Sequence, residues 1–295
     1  MFEDFLKSAN NNPVIIQHLC DSQRSKRNEE QKHHLLSDDF KGVRPDQYLI
    51  NYLNDPKYVD PRNNLCIWAR PTEAVMRLVA EIQKELLTLA PGIWTTPLES
   101  LHMTVLEIVH TATTEEVNSC AKKLQPCLKE MVNYTLDHRT RLVKPKLNFD
   151  DAAVALSFVP AAGEDRDGAS EDRDDASEDR YTYLHLRSDS SDICSRNGVE
   201  VAARYETTSS HMTVARFVRK DEHGEREAME LWISKIESLN RWLEDECFPQ
   251  ENLQEKGRGE HVGLEWYIGA ERGLEIRTRD LWYGGGVSVE VGEHF

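Results

Sequence analysis

The segment Ser-x-His-Met-Thr-Val occurs twice in this chain of 295 residues. The first copy is Ser100 to Val105, within "ESLHMTV", and the second is Ser209 to Val214, within "TSSHMTV". Alternate side chains of a β-strand share a face, so each copy predicts a strand with serine, histidine and threonine on one side and mainly apolar residues on the other. Any fold for this chain must therefore accommodate two such strands.

The repetition exceeds what chance supplies. A chain of this composition would contain roughly 0.2 copies of His-x-Thr-apolar by accident, so two copies with a shared serine indicate a common role. The alternative is two half-buried strands whose histidines are hydrogen-bonded within the core. The repeat itself leaves that alternative open.

Strand and helix patterns alternate around the two motifs. "LCIWA" at 65–69 predicts a strand, and the apolar spacing after Pro71 predicts an amphipathic helix that ends before Pro91-Gly92. A second helix is expected over 114–134, a hairpin around Asp150-Asp151, a helix closed by Gly198, a long helix over 225–246, and strands in the tail. Hairpins mixed with crossovers predict an α+β fold with mostly antiparallel sheet.

Two segments lack this alternation of strand and helix patterns. Residues 1–50 are rich in charged and amide side chains and are interpreted as an N-terminal extension, which leaves 51–295 as the main domain. Residues 164–180 repeat with a period of seven and carry nine acidic and three basic side chains. Because nothing in that repeat can be buried, the stretch from about 161 to 180 is expected to be a disordered acidic insertion.

Composition narrows the functional classes. The net charge of −16 argues against sequence-blind binding to a nucleic-acid backbone, so no DNA partner is expected and any RNA contact should be small. No apolar run is long enough to cross a bilayer, and the acidic N-terminus does not resemble a signal peptide. Six scattered cysteines fit reduced thiols. We expect an intracellular protein, cytoplasmic or nuclear, without a membrane partner, and a monomer.

The chemistry of the two motifs follows from their side chains. Imidazoles near pKa 6.5 on opposite sides of a phosphorus atom can act as base and acid, one taking a proton from a nucleophile and the other giving one to a leaving oxygen. The hydroxyls of Thr104 and Thr213 can donate hydrogen bonds to non-bridging oxygens. Neither a metal nor a cofactor is needed, and the pH profile should be bell-shaped with limbs near neutrality.

Other catalytic sites fit less well. A zinc site requires a third ligand, and only Glu99 and Glu107 lie near His102 in the sequence. A serine hydrolase would contain a Gly-x-Ser-x-Gly turn, which is missing from the sequence. "YGGGV" at 283–287 lacks the Lys-Ser/Thr of a P-loop and is interpreted as a turn.

With "LHMTVLEI" and "SHMTVARF", the sequence resembles the two-histidine (2H) phosphoesterase superfamily, the LigT-like proteins. Members carry one His-x-Thr/Ser motif in each of two pseudo-symmetric lobes, and the second motif often continues into Ala-Arg, here Ala215-Arg216. The context "VAARYETTSSHMTVARF" and the ending "LWYGGG" resemble the fungal RNA ligase/cyclic nucleotide phosphodiesterase branch. The resemblance covers roughly residues 64–286.

The resemblance implies a bilobal α+β fold with mostly antiparallel sheets around a central groove. It implies a catalytic quartet of His102, Thr104, His211 and Thr213. It also implies hydrolysis of a 2′,3′-cyclic phosphate, or of another RNA or nucleotide phosphodiester, on a small nucleotide or an RNA end. Which substrate is used, and which histidine is the base, stays open. The alternative is a non-catalytic protein that binds an RNA end or a nucleotide with the same fold.

Residues outside the quartet supply the candidates for substrate binding. Aromatic side chains can stack on a base, arginines can approach a phosphate, and the two motif serines share the face of their histidines. These candidates are Ser100, Ser209, Trp94, Tyr205 and Arg216, with Trp282 and Arg204 as further ones.

Overall fold

A computed structural model of the chain describes residues 2–164, 179–201, 209–220, 225–248 and 261–294. Over these ranges the protein is an α+β fold with antiparallel strand pairing, as expected. The helices are α1 (Phe2–Ser8), α2 (Pro13–Leu35), α3 (Gln47–Asn54), α4 (Glu73–Leu87), α5 (Thr114–Leu124), α6 (Leu128–Asn133), α7 (Tyr183–Arg196) and α8 (Arg226–Cys247).

The strands form two sheets within the described residues. They are β1 (Asn63–Ala69), β2 (Trp94–Thr95), β3 (Met103–Ala112), β4 (Thr140–Phe149), β5 (Ala153–Pro160), β6 (Ser210–Arg216), β7 (Trp266–Ile268), β8 (Glu275–Arg279) and β9 (Val287–Val291). The first sheet has the order β3-β1-β8-β9, and the second has the order β2-β6-β5-β4-β7. The two motif strands, β3 and β6, thus belong to different sheets.

Local sequence explains where the helices around the first motif begin and end. The Thr72 side chain accepts a hydrogen bond from Val75 N and caps α4, whose apolar stripe is buried as predicted. Thr113 and Glu116 form a capping box at the start of α5. The prediction of a single helix over 114–134 was wrong. Pro126 interrupts the helix with a 3₁₀ turn at 125–127, and α6 begins after this turn.

The first fifty residues, expected as an extension, form α1, α2 and the start of α3. Phe2, Leu6, Ile16 and Leu35 are buried in the same hydrophobic cluster as the apolar residues of both sheets. Helix α2 lies against β4 and β5, where the buried guanidinium of Arg24 donates to the carbonyl oxygens of Lys144 and Ser157. These helices therefore share the core of the rest of the protein.

The flanks of the acidic insertion are fixed by one buried arginine. The Arg141 guanidinium pairs with Asp179 and donates to the carbonyl oxygen of Glu164, so it holds both ends of the segment together. The Glu164 side chain also meets Lys144 at 2.8 Å. The expected disorder concerns mainly residues 165–178, which lie outside the described residues.

The two sheets meet where the chain passes from β2 to β3. Trp94 and Thr95 pair with Arg216 and Ala215 of β6, and Thr96 N then donates to the Val214 carbonyl. The buried amide of Gln83 donates to the carbonyl oxygens of both Thr96 (2.7 Å) and Val214 (3.0 Å). The chain then enters β3, so the first motif starts beside the strand that carries the second.

Two further predictions concern the cysteines and the possibility of a membrane-spanning helix. All six cysteines are free thiols, as their scattered spacing predicted, and five of them are buried. Among the helices of the described ranges, none is both long and apolar enough to cross a membrane.

The shared core generates the first prediction. Ile16→Ala should lower the free energy of unfolding by about 2–5 kcal/mol, because it removes a fully buried side chain and leaves a cavity. The neighbouring Ile15 is 40% exposed, so Ile15→Ala is the matched control and should cost much less. Urea unfolding at neutral pH measures both. Equal effects would contradict the packing of α2 on the core.

Candidate functional site

His102 lies at the entrance to β3 and is held from two sides. Pro97 starts a 3₁₀ turn over Leu98–Ser100, and the ring Nδ1 of His102 is 2.8 Å from the Ser100 carbonyl oxygen. One face of the ring stacks on the indole of Trp68, with centroids 3.6 Å apart and planes inclined by 13°. The imidazole is therefore fixed in orientation by a hydrogen bond in its plane and an aromatic contact on its face.

Trp68 belongs to β1 and is 1% exposed. Side chains alternate along this strand, so that Leu65 and Ile67 join the main core while Cys66 and Trp68 pack with Leu281 in a separate cluster. Trp68 pairs in register with Thr104 of β3. The first half of the candidate site thus lies on the face of the sheet that carries Trp68.

Two arginines approach the Trp68 ring. The guanidinium carbons of Arg70 and Arg277 lie 4.9 and 5.0 Å from a ring centroid of the indole. Both side chains pair with Glu275, at 2.8 and 2.6 Å, and Arg70 also donates to the Leu101 carbonyl next to the motif histidine. Burial raises the pKa of Glu275, but hydrogen bonds from Ser288, Arg277 and Arg70 bring it down to about 2.

The environment keeps His102 neutral. Loss of hydration beside Trp68 is the main cause that lowers its pKa to about 3, and the charges of Arg70 and Arg277 add to the lowering. The hydrogen bond to the Ser100 carbonyl and the charge of Glu275 act in the opposite direction. The ring is partly accessible to solvent.

His211 lies on β6 and is more open. Its ring is exposed to solvent, and its Nδ1 is 3.1 Å from the Ser209 hydroxyl oxygen. Surrounding protein is nevertheless the main cause that lowers its pKa to about 4, with further lowering from Arg27, Arg187 and Arg216. The residue is therefore accessible to solvent in surroundings that disfavour a positive charge on its ring.

The motif serines therefore contact their histidines. Ser209 contacts its histidine through its hydroxyl and also through its backbone, and Ser100 does so through its backbone carbonyl. The expectation that Ser100 and His102 lie within a strand was wrong, because the turn begun by Pro97 delays β3 until Met103. Gly284 also packs here, since a Cβ on it would lie 2.2 Å from the Ser100 Cβ, and its φ is +83°.

The motif threonines occupy equivalent places in the two strands. Thr104 and Thr213 are both partly accessible, and each lies between buried Met and Val residues, as the alternation predicted. The backbone of each is tied to a neighbour: Tyr183 donates its hydroxyl to the Thr104 carbonyl, and Thr96 donates to the Thr213 carbonyl. Strands β3 and β6 are in contact with each other.

Trp94 and Arg216 face each other across the β2–β6 pair, and Tyr283 lies against both. The Tyr283 ring is edge-on to Trp94 at 5.9 Å, with the Arg216 guanidinium also 5.9 Å from its centroid. Asp46, at the N-terminus of α3, accepts a hydrogen bond from the Tyr283 hydroxyl and pairs with Arg216 at 3.5 Å. Tyr52 of α3 is half-exposed beside Tyr283.

The remaining sequence candidates are placed differently. Trp282 packs on the guanidinium of Arg62, and the ring of Tyr48 packs on the same guanidinium. Tyr205 and Arg204 lie outside the described residues. Within the ranges described above, no group of three or more His, Cys, Asp or Glu side chains could hold a metal ion.

The sequence did not reveal the side chains that surround His102 and Arg216. Trp68, Arg70, Glu275 and Arg277 lie on or beside β1 and β8, far from both motifs in the chain. Tyr283, which lies against Arg216, is in the turn before β9. The segment "IWAR" could be assigned to a strand from the sequence. The strands that pair with it depend on the order of strands in the sheet, which the sequence did not show. The alternation of Arg277 and Glu275 on one strand face was the one available signal.

No family model matches the sequence, and no curated protein matches it. Among solved structures, the conserved protein of unknown function ATU0111 from Agrobacterium tumefaciens is 12% identical, with a TM-score of 0.43 over 74% of this chain and 87% of that one. The protein TT0787 of Thermus thermophilus is 14% identical, with a TM-score of 0.42 over 78% of this chain and 96% of that one. Similarity at this level carries no information on activity.

The neutral His102 generates a prediction on stability. Its folded pKa lies below its unfolded value, so between about pH 6.5 and the folded pKa the unfolded state binds more protons and stability falls as the pH falls. The urea midpoint should decrease as the pH is lowered from neutrality to about 5, and His102→Gln should reduce that decrease. His33→Gln, on the exposed face of α2, is the control. An unchanged slope in His102→Gln would contradict the burial of a neutral ring.

Proposed function

We propose that the protein is a metal-independent phosphodiesterase of the 2H phosphoesterase type, which hydrolyses a 2′,3′-cyclic phosphate or another RNA or nucleotide phosphodiester. The observation that carries this is the matched pair of histidines. Each ring contacts, through Nδ1, the residue two positions earlier, and Nε2 is left as the nitrogen that can exchange a proton with a ligand. In this proposal the two sheets form the two lobes.

The charges around the site support an anionic ligand. Arg70 and Arg277 act on His102, and Arg27, Arg187 and Arg216 act on His211. This cluster of cations is a local feature, because the chain as a whole carries a net charge of −16. Arg70 and Arg277 share the carboxylate of Glu275, and Arg27 and Arg216 pair with Asp150 and Asp46. A phosphodiester would bring further negative charge to these cations.

The reaction would be an in-line displacement at phosphorus. A neutral imidazole accepts a proton from water as the water oxygen bonds to phosphorus, and the bond to one ribose oxygen breaks. The second imidazole, protonated, donates its proton to that oxygen. Thr104 and Thr213 donate hydrogen bonds to the non-bridging oxygens as charge gathers there. The products are a phosphomonoester and a free hydroxyl, and solvent exchange restores both rings.

The aromatic group beside Arg216 supports a nucleotide as the carrier of that phosphate. Trp94 and Tyr283 meet at the end of β6, where Arg216 follows His211 by five positions, and Tyr52 leaves half of its surface open beside them. Stacking on such rings is tolerant of base identity. We therefore propose Trp94 and Arg216 as contacts for the nucleoside side of the substrate.

The direct test uses 2′,3′-cyclic mononucleotides and a short RNA with a cyclic end, each with chelator present. His102→Ala and His211→Ala should each lower kcat/KM by about 10²–10⁴-fold, because each removes one proton transfer. His33→Ala is the control. Loss of activity in chelator, or full activity in either variant, would overturn the proposal. Tight binding without turnover would favour the non-catalytic alternative.

The pH dependence gives a second prediction. The free protein holds both histidines well below the pKa near 6.5 expected from sequence, at about 3 and about 4. Since kcat/KM reports the free enzyme, it should be greatest at acid pH, below about pH 6. Bound phosphate raises both imidazole pKa values, so the optimum of kcat should lie at higher pH. Initial rates between about pH 4 and about pH 8 measure both, and coincident optima would contradict the lowered pKa values.

A further inference from the structure

The second motif strand contains a β-bulge directly after Thr213. The residues of β5 that pair with His211, Thr213 and Arg216 are alternate residues, Ser157, Ala155 and Ala153. Alternate residues of a strand share one face of the sheet, and directly paired residues of antiparallel strands share that face as well. The bulge therefore brings Arg216 onto the face that carries His211 and Thr213.

Trp94 lies on the same face of the second sheet. It pairs in register with Arg216 across β2 and β6. Both residues are partly accessible to solvent. The functional side chains of this sheet thus continue from His211 and Thr213 to Arg216 and Trp94.

Tyr283 lies beside both halves of the candidate site. Its ring is 5.9 Å from the ring of Trp94 and 5.9 Å from the guanidinium of Arg216, both in the second sheet. The next residue, Gly284, packs on Ser100 in the turn that begins the first motif. A base that packs against Tyr283 would therefore lie next to both motifs.

The ring of Tyr283 is fixed by two hydrogen bonds to its hydroxyl. The hydroxyl donates to Asp46 at 2.7 Å and accepts from Arg62 at 3.3 Å. A ring that is already ordered loses little conformational freedom when a ligand packs on it. Tyr283 is thus prepared for stacking in the free protein.

Tyr52 of α3 extends this row of rings toward solvent. Its ring centroid is 6.1 Å from that of Tyr283, and Tyr52 is 51% exposed. Asp46 also caps α3 at Leu49 N, so the residue that holds Tyr283 also fixes the start of this helix. Helix α3 precedes residues 64–286, so Tyr52 belongs to the part of the chain outside the family resemblance.

The cations beside these rings are already paired. Arg62 pairs with Asp60, and Arg216 pairs with Asp46. A phosphate at this place would meet guanidinium groups whose charge is partly offset. The rings therefore supply most of the attraction for a nucleotide here, and they act through its base.

We propose that the substrate is the end of a single-stranded RNA of at least two nucleotides, and that Tyr52 binds the base next to the terminal nucleotide. This inference rests on the proposed phosphodiesterase function. The terminal nucleoside lies against Trp94 and Arg216, and the preceding base packs on Tyr52, with Tyr283 between them. The planes of neighbouring rings are inclined by 78° and 38°, so the two bases are splayed apart.

The first test compares a 2′,3′-cyclic mononucleotide with a dinucleotide that ends in the same cyclic nucleotide. The wild-type kcat/KM should be about 5–100-fold higher on the dinucleotide, because one more base is stacked. Tyr52→Ala should remove this difference without lowering the rate on the mononucleotide, and Tyr52→Phe should retain it. Leu53→Ala, at a residue 49% exposed on the same helix, is the matched control. Equal wild-type values for the two substrates, or the same loss in Leu53→Ala, would overturn the inference.

A dinucleotide that lacks its first base separates stacking from charge. This analogue keeps the first ribose and the linking phosphate. The wild type should use it about as slowly as the mononucleotide, whereas Tyr52→Ala should not distinguish it from the intact dinucleotide. If Tyr52→Ala lowers kcat/KM equally on the intact and the abasic dinucleotide, Tyr52 does not contact the base and the inference is wrong.

Binding without turnover separates this inference from the proposed function. Titration calorimetry with a dinucleotide 3′-phosphate should give a Kd about 5–100-fold higher for Tyr52→Ala than for the wild type. If the wild type hydrolyses no phosphodiester but shows this difference, the catalytic proposal is wrong and the site for the second nucleotide stands. If the wild type is active and Tyr52→Ala changes neither Kd nor kcat/KM on the dinucleotide, the function stands and this site is wrong. A change in sedimentation of Tyr52→Ala with unchanged RNA binding would assign the surface to a protein contact and would also overturn the inference.

Discussion

The candidate site depends on the contact between the two sheets at Thr96. The backbone of the β2–β3 connection lies beside β6, and Gln83 donates from one buried amide to a carbonyl on each side. A buried amide without partners costs free energy, so these two bonds favour one relative position of the strands. Both motifs lie next to this contact between the sheets, since β6 carries His211 and the β2–β3 connection leads to His102.

Cations surround the two histidines of the candidate site, although the chain as a whole has a negative net charge. The protein is acidic, yet five arginines act on the two histidines, and each half of the site draws on cations from separate elements. Burial and these cations together keep both imidazoles neutral without a ligand. In the proposed reaction, a bound phosphate would offset these cations, so the protonation state of the two histidines would change when the substrate binds.

The N-terminal residues show why sequence motifs alone do not predict every residue of the candidate site. Helix α2 brings Arg27 toward His211, and Asp46, before α3, holds both Arg216 and Tyr283. Nothing in residues 1–50 resembles a site, because Arg27 and Asp46 act through tertiary neighbours that are distant in the chain. Apolar positions such as Ile16 are also too sparse along α2 to reveal a buried face.

The sequence by itself determined the two motif strands, the alternation that exposes Thr104 and Thr213, most helices and strands, and the α+β class. Those features follow from short-range periodicity and capping. Only the tertiary structure decided that Ser100 lies in a turn and acts through its carbonyl, and that His102 stacks on Trp68. These features arise because sheet order brings β1 and β8 beside the first motif. That order depends on which surfaces pack together, and no local pattern encodes it.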